Sequence, residues 1–133
     1  MKIEGGCHCG NIAFRAEVEP STVVICHCTD CQTLTGSAYR ASIPASADSF
    51  ELLRGEPKIY IKTAEGGVKR AQAFCGDCGT PIYGAAINDP LIYLLRVGAV
   101  KQRSEMRPRR QIWCRSALSW SLDLNGIEKL DRQ

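Results

Sequence analysis

The chain has 133 residues, 44% of them hydrophobic and 23% charged, with a formal net charge of +3. That length suits one domain able to bury about two thirds of its unfolded-state surface, and the composition excludes disorder. The charge is too mild to imply nucleic acid, and the most apolar run, residues 91–95, is far short of a membrane span.

Taken in order, the elements are mostly strands. Residues 11–18 alternate, with Ile12, Phe14 and Ala16 on one face, and Pro20 ends the pattern. The β-branched run at 22–25 leads straight into Cys26. Residues 29–34 read as a short helical turn, capped by Thr29 and stopped by Gly36. Strand pattern returns at 38–43 and is expected to halt at Pro44. Residues 50–53, the turn Arg54-Gly55-Glu56-Pro57 and residues 58–61 read as a hairpin. After a second turn at Glu65-Gly66-Gly67, residues 68–74 run into Cys75 and residues 80–83 run out of Cys78, a hairpin with cysteines in its knuckle. Residues 91–97 form the most apolar strand, expected at the centre of its sheet. A basic loop at 101–110, a strand-like Gln111-Ile112-Trp113 and a polar, peripheral tail from Asp123 complete the chain.

The opening Met1-Lys2-Ile3-Glu4-Gly5-Gly6 has no apolar signal core, so the expected compartment is the cytoplasm. Thiols stay reduced there, and eight cysteines read as metal ligands or redox groups before disulfides. Seven of them fall in three clusters: Cys7-His8-Cys9, Cys26-His27-Cys28-Thr29-Asp30-Cys31 and Cys75-Gly76-Asp77-Cys78. Strand residues two apart share a face, so Cys7 and Cys9 converge, as do Cys26 and Cys28. Cys75 and Cys78 converge across a tight turn relieved by Gly76 and Gly79. Cys7, Cys9, Cys75 and Cys78 are the natural set for a closed four-thiolate site, which leaves Cys26, Cys28 and Cys31 as a set of three. Four protein ligands are the pattern of a structural zinc; three with an open position are that of a catalytic one. Cys114 and His27 are the rivals for the open position. Alternation turns His27 and His8 away from their neighbouring thiols, so both are expected to be packed or hydrogen-bonded nearby. Cys114 reads as a buried or semi-buried apolar residue, and Trp113 and Trp120 as core or pocket wall.

Gly6-Cys7-His8-Cys9-Gly10, then Cys26-His27-Cys28-Thr29-Asp30-Cys31 with Thr35-Gly36-Ser37, then Phe74-Cys75-Gly76-Asp77-Cys78-Gly79 resemble the glutathione-dependent formaldehyde-activating enzyme family, whose domain is shared with centromere protein V. The likeness runs from Gly5 to Tyr83 and more weakly through residues 112–120. It implies a mainly β fold, a β-tent of several coiled antiparallel sheets with few short helical turns, as a single zinc-binding domain over residues 1–133. It also implies two zinc ions per chain, one structural at Cys7, Cys9, Cys75 and Cys78 and one catalytic at Cys26, Cys28 and Cys31. The implied activity is of the carbon–sulfur lyase type, joining formaldehyde and glutathione as S-(hydroxymethyl)glutathione.

A divalent ion held by three thiolates keeps a net negative charge and is a weak Lewis acid that suits a soft ligand. The expected partner is therefore a small thiol, glutathione first, bound as a thiolate nucleophile. Thr29, Asp30, Thr35 and Ser37 lie close enough in sequence to serve substrate, although such residues commonly cap helices and turns. The basic loop is either a carboxylate trap or a solvated surface. Nucleic acid is not an expected partner, since Trp113 is the one aromatic residue near that charge, and neither is a membrane. Two other readings compete: a non-catalytic two-zinc module for protein or nucleic acid, and a redox dithiol at Cys75 and Cys78. The latter lacks the βαβ context such a pair needs.

Overall fold

Apolar alternation builds the first sheet. Ile12, Phe14, Ala16 and Val18 are all buried, while Arg15 and Glu17 between them face solvent. The computed structural model describes all 133 residues, and in it this segment is strand β2 (Ala13–Glu17). It pairs antiparallel with β1 (Lys2–Gly6) on one side and β5 (Glu51–Arg54) on the other, a three-stranded sheet. The remaining strands are β3 (Val23–Cys26), β4 (Arg40–Ser46), β6 (Lys58–Thr63), β7 (Lys69–Phe74), β8 (Pro81–Ala86), β9 (Ile92–Arg96) and β10 (Pro108–Ile112). They form a seven-stranded sheet in the order β10-β3-β4-β9-β8-β7-β6, with the apolar β9 at its centre as expected. The fold is mainly β, with one short α-helix, α1 (Thr29–Thr35), and several single 3-10 turns. No helix is long and apolar enough to cross a membrane.

The two sheets share a core. Ile3, Ile12 and Phe14 from the small sheet join Val23, Ile43, Ala45, Ile82 and Leu95 from the large one. Phe50 stands between them, its ring 5.8 Å from Phe14, 5.5 Å from Tyr83 and 4.5 Å from Tyr93. Each large side chain so buried contributes about 1.5–3 kcal/mol. Cross-strand partners point to the same face. Ile43 opposite Leu95 and Ala45 opposite Tyr93 therefore turn into this core. By the same rule Cys26 opposite Arg40, and Ser42 opposite Arg96, occupy the other face of the large sheet.

Several local expectations change. Residues 50–61 do not form a hairpin: β5 joins the small sheet beside β2, and β6 becomes an edge of the large one beside β7. The turn between them hands the chain from sheet to sheet. It is pinned by Arg54, whose Nε and Nη2 donate to the Gly10 carbonyl at 3.0 and 2.6 Å. Strand β4 runs through Pro44 to Ser46, because pairing with β3 ends at Ser42 and the strand is laddered on one side only at the proline. Not every pair is antiparallel, since β10 runs parallel to β3 along the sheet edge and takes in Arg109 and Arg110 of the expected loop. The tail from Asp123 is peripheral, yet it exposes Leu124, Ile127 and Leu130.

Gly55 tests the sheet-to-sheet turn. Its φ is +78°, and a Cβ there would meet the Asn11 carbonyl oxygen at 2.2 Å. Left-handed strain of about 1–2 kcal/mol adds to a clash with backbone that cannot rotate away. Gly55→Ala is expected to destabilise the protein by about 2–4 kcal/mol, read as a lowered urea midpoint. An unchanged midpoint would mean that the turn relaxes freely.

Candidate metal centres

The first thiol group gathers at the junction of the sheets. Cys7 and Cys9 lie in the turn after β1, not in a strand, so the turn brings them together and alternation does not. The Cys7 carbonyl accepts from the Gly10 N–H, and the Ile12 N–H donates to Cys7 Sγ at 3.1 Å. Cys75 and Cys78 sit in the knuckle between β7 and β8, closed by the Gly79 N–H donating to the Cys75 carbonyl at 2.8 Å. Two contacts tie the loops to each other: Asn11 Nδ2 donates to Asp77 at 2.8 Å, and the His8 N–H donates to Thr80 Oγ1 at 3.0 Å. His8 itself is exposed, so only its backbone is engaged.

The four sulfurs lie within 4.8 Å of one another, with Cys7 to Cys9 at 3.5 Å and Cys9 to Cys75 at 3.7 Å. A zinc tetrahedron with Zn–S of about 2.3 Å has S···S edges of about 3.8 Å. The set therefore fits a closed zinc site, and its spacings are too long for a disulfide. Its proton balance is that of a crowded anion cluster. The Thr80 hydroxyl against Cys78 at 3.2 Å holds that thiol down to about 5. Cys9 receives a lowering hydrogen bond from the Asn11 backbone, but desolvation and its thiol neighbours push it up to about 12. A bound cation would resolve such a conflict by removing the protons outright.

The second group, Cys26, Cys28 and Cys31, also lies within 4.8 Å. Cys26 ends β3 and Cys31 is the buried residue of α1. The helix cap is Cys28 and not Thr29: its Sγ accepts from the Cys31 N–H at 3.3 Å. Gly36 terminates the helix in the left-handed conformation, as expected. The neighbouring Cys31 thiol holds Cys26 below the usual thiol range, and the Cys26 thiol, with burial, pushes Cys31 above it. The third thiol, Cys28, completes a donor set suited to a soft divalent ion with one position open.

Neither rival for that position joins the group. His27 is buried and faces away, its Nε2 2.7 Å from Gln111 Oε1 on β10 and its ring edge-on to Tyr39. Cys114 is exposed, in a 3-10 turn, against the expectation of burial. Trp113 and Trp120 are exposed as well, so neither is core. Thr35 donates to the Cys31 carbonyl at 2.7 Å, its hydroxyl accepts from the Ser37 N–H, and Asp30 pairs with Lys62 at 3.1 Å, all structural roles. In the basic stretch Lys101 pairs with Glu4, and Arg103 and Arg107 donate to nearby carbonyls.

Three residues beside the second group escaped the sequence reading. Arg40 and Arg96 are both buried, and they converge on Gln72 Oε1 of β7 at 3.0 and 2.7 Å. Arg96 also donates to Ser42 Oγ at 2.8 Å. Gly84 provides the room, since a Cβ there would stand 2.5 Å from Arg96 Nη2. Burial first, and then the like charge of Arg40, push Arg96 down to about 9, still a cation at neutral pH. One signal was present: an arginine ending the most apolar strand. A cavity of about 470 Å³ opens over this row, walled by Leu34 of α1, Tyr60, Phe74 and Tyr83 with Arg40 and Arg96.

A mainly β domain carrying a four-thiol and a three-thiol cluster defines a cysteine-rich protein with two candidate metal centres. Residues 2–116 match the family model for the glutathione-dependent formaldehyde-activating enzyme, and the chain belongs to that family. A relative from Halomonas elongata, named as a putative glutathione-dependent formaldehyde-activating enzyme, is 29% identical over 87 residues. That match covers 62% of this chain and about half, 55%, of the relative. The crystal structure of a Rhodobacter sphaeroides protein superposes with a TM-score of 0.62 over 81% of this chain and 98% of that one, at 18% identity, a likeness of fold.

Proposed function

We propose that the chain is a single zinc-binding domain that acts on thiol adducts, joining a small thiol to formaldehyde or releasing it. The observation that carries this reading is the set of three thiols without a fourth protein donor, with Cys26 on the sheet face where the buried Arg40 and Arg96 line a cavity. The family's name supplies the substrate pair, glutathione and formaldehyde, as the first candidates. Cys7, Cys9, Cys75 and Cys78 would hold one zinc as a structural clamp, and Cys26, Cys28 and Cys31 would hold the other. Bound there, zinc would accept a soft fourth ligand and favour the thiolate form of a thiol.

The protein's own residues set up the rest. Helix α1 presents Cys28 and Cys31 on one turn, with Cys26 held against them by the β3–β4 pairing. Arg40, beside Cys31, favours negative charge at this point. Leu34, Tyr60 and Phe74 give one side of the cavity an apolar wall. In the proposed reaction the S–C bond forms as the carbonyl becomes an alcohol, and the thiol proton ends on that oxygen.

Cobalt substituted at the three-cysteine centre tests the reading. Adding glutathione is expected to shift the visible bands as a fourth sulfur enters. A spectrum indifferent to every thiol would leave two closed structural metals and a non-catalytic binding module.

A further inference from the structure

Buried charges are normally paired, since an unpaired one is costly in a low dielectric. Arg40 and Arg96 break that pattern. Neither forms a salt bridge, and the nearest partner they share is a neutral amide oxygen. The Nε of each is buried with no acceptor at all. Arg40 Nη2 and Gln72 Nε2 donate to nothing in the protein, yet they do not count among its buried unsatisfied atoms, which leaves both accessible to a ligand. The register puts these groups in one row on the face that carries Cys26: Cys26 opposite Arg40, Ser42 opposite Arg96, Gln72 opposite Gly84, and Tyr60 opposite Gln72.

Two anions could answer this charge. One is the thiolate cluster itself, which lies close enough to influence Arg96. The other is a group carried in by the substrate. The cavity favours the second, because about 470 Å³ lined by apolar walls exceeds what a lone sulfur atom fills and falls in the range of small-molecule sites. Planar guanidinium donors, with an amide beside them, match the two oxygens of a carboxylate.

We propose that Arg40, Arg96 and Gln72 form a carboxylate subsite, so that the substrate is a thiol bearing a carboxylate and not any small thiol. This rests on the thiol reading above and narrows it to a substrate class. The basic segment at 101–110 is then not the carboxylate trap of this cavity: Lys101, Arg103 and Arg107 are engaged with Glu4 and local carbonyls, and Arg109 and Arg110 do not line it.

The test compares glutathione with its diethyl ester, which keeps the thiol and blocks both carboxylates, by cobalt-spectral titration of the metal-loaded protein. Glutathione is expected to bind at least about tenfold more tightly. In Arg40→Gln that ratio should fall towards one, with glutathione losing far more affinity than the ester. S-methylglutathione, which has no free thiol, should bind the wild type weakly by calorimetry and the variant not at all. Equal affinity for glutathione and its ester in the wild type overturns the subsite and leaves the thiol reading intact. So does an Arg40→Gln variant that weakens both ligands alike, since the arginines would then only balance the cysteines. A spectrum indifferent to every thiol removes the thiol reading, and S-methylglutathione binding then decides the subsite by itself. Should Arg40→Gln not fold, the wild-type comparison of glutathione with its ester still decides.

Discussion

Cys75→Ser is expected to unfold the protein at ordinary temperature. Cys75 is 1% exposed and belongs to the shared core, and its thiol group joins the turn after β1 to the knuckle between β7 and β8. Metal binding at a structural four-thiolate site amounts to folding free energy, on the order of 10 kcal/mol. A domain of this size is stable by only about 5–15 kcal/mol, so losing one ligand removes most of the margin. The serine would also bury a hydroxyl where a sulfur had packed. Circular dichroism and denaturant titration would read the collapse. Cys114→Ser is the control, exposed and outside both groups, with an expected change of no more than about 0.5 kcal/mol. A well-folded Cys75→Ser variant with its full metal content would show that the four thiols are not a ligand set.

Cys28→Ser should behave in the opposite way. Its backbone starts α1 and its sulfur caps the helix, and serine is among the best residues for that task. The fold should therefore survive within about 1 kcal/mol, while metal content drops from two ions per chain to one and the response to thiols disappears. Elemental analysis and the cobalt spectrum measure these separately. If Cys28→Ser and Cys75→Ser collapse equally, the division of the cysteines into a clamp and an open site is wrong.

The cysteine sets were legible because their chemistry is local. Two thiols two or three residues apart converge in almost any tight backbone, whether a strand end, a turn or a helix cap. That is why Cys7 and Cys9 meet even though they lie in a turn and not in the expected strand. Alternation marked Ile12, Phe14 and Ala16 as core, and composition marked β9 as central, each borne out. Local pattern failed where the decision was non-local. A turn at residues 54–57 looks the same whether its strands pair with each other or part company, and only the approach of Gly55 to Asn11 and the anchoring of Arg54 on Gly10 separate the two outcomes.

By itself, then, the amino-acid sequence determined the fold class, the membership of the thiol clusters and the family to which the chain belongs. Tertiary structure alone decided what surrounds the second cluster. Arg40 and Arg96 are distant in sequence from each other and from Gln72, and the one local hint of burial is that Arg96 ends the most apolar strand. They meet because antiparallel register places Cys26, Arg40, Ser42 and Arg96 on one face of the large sheet. Register is set by pairing across the whole sheet, and no single strand carries that information.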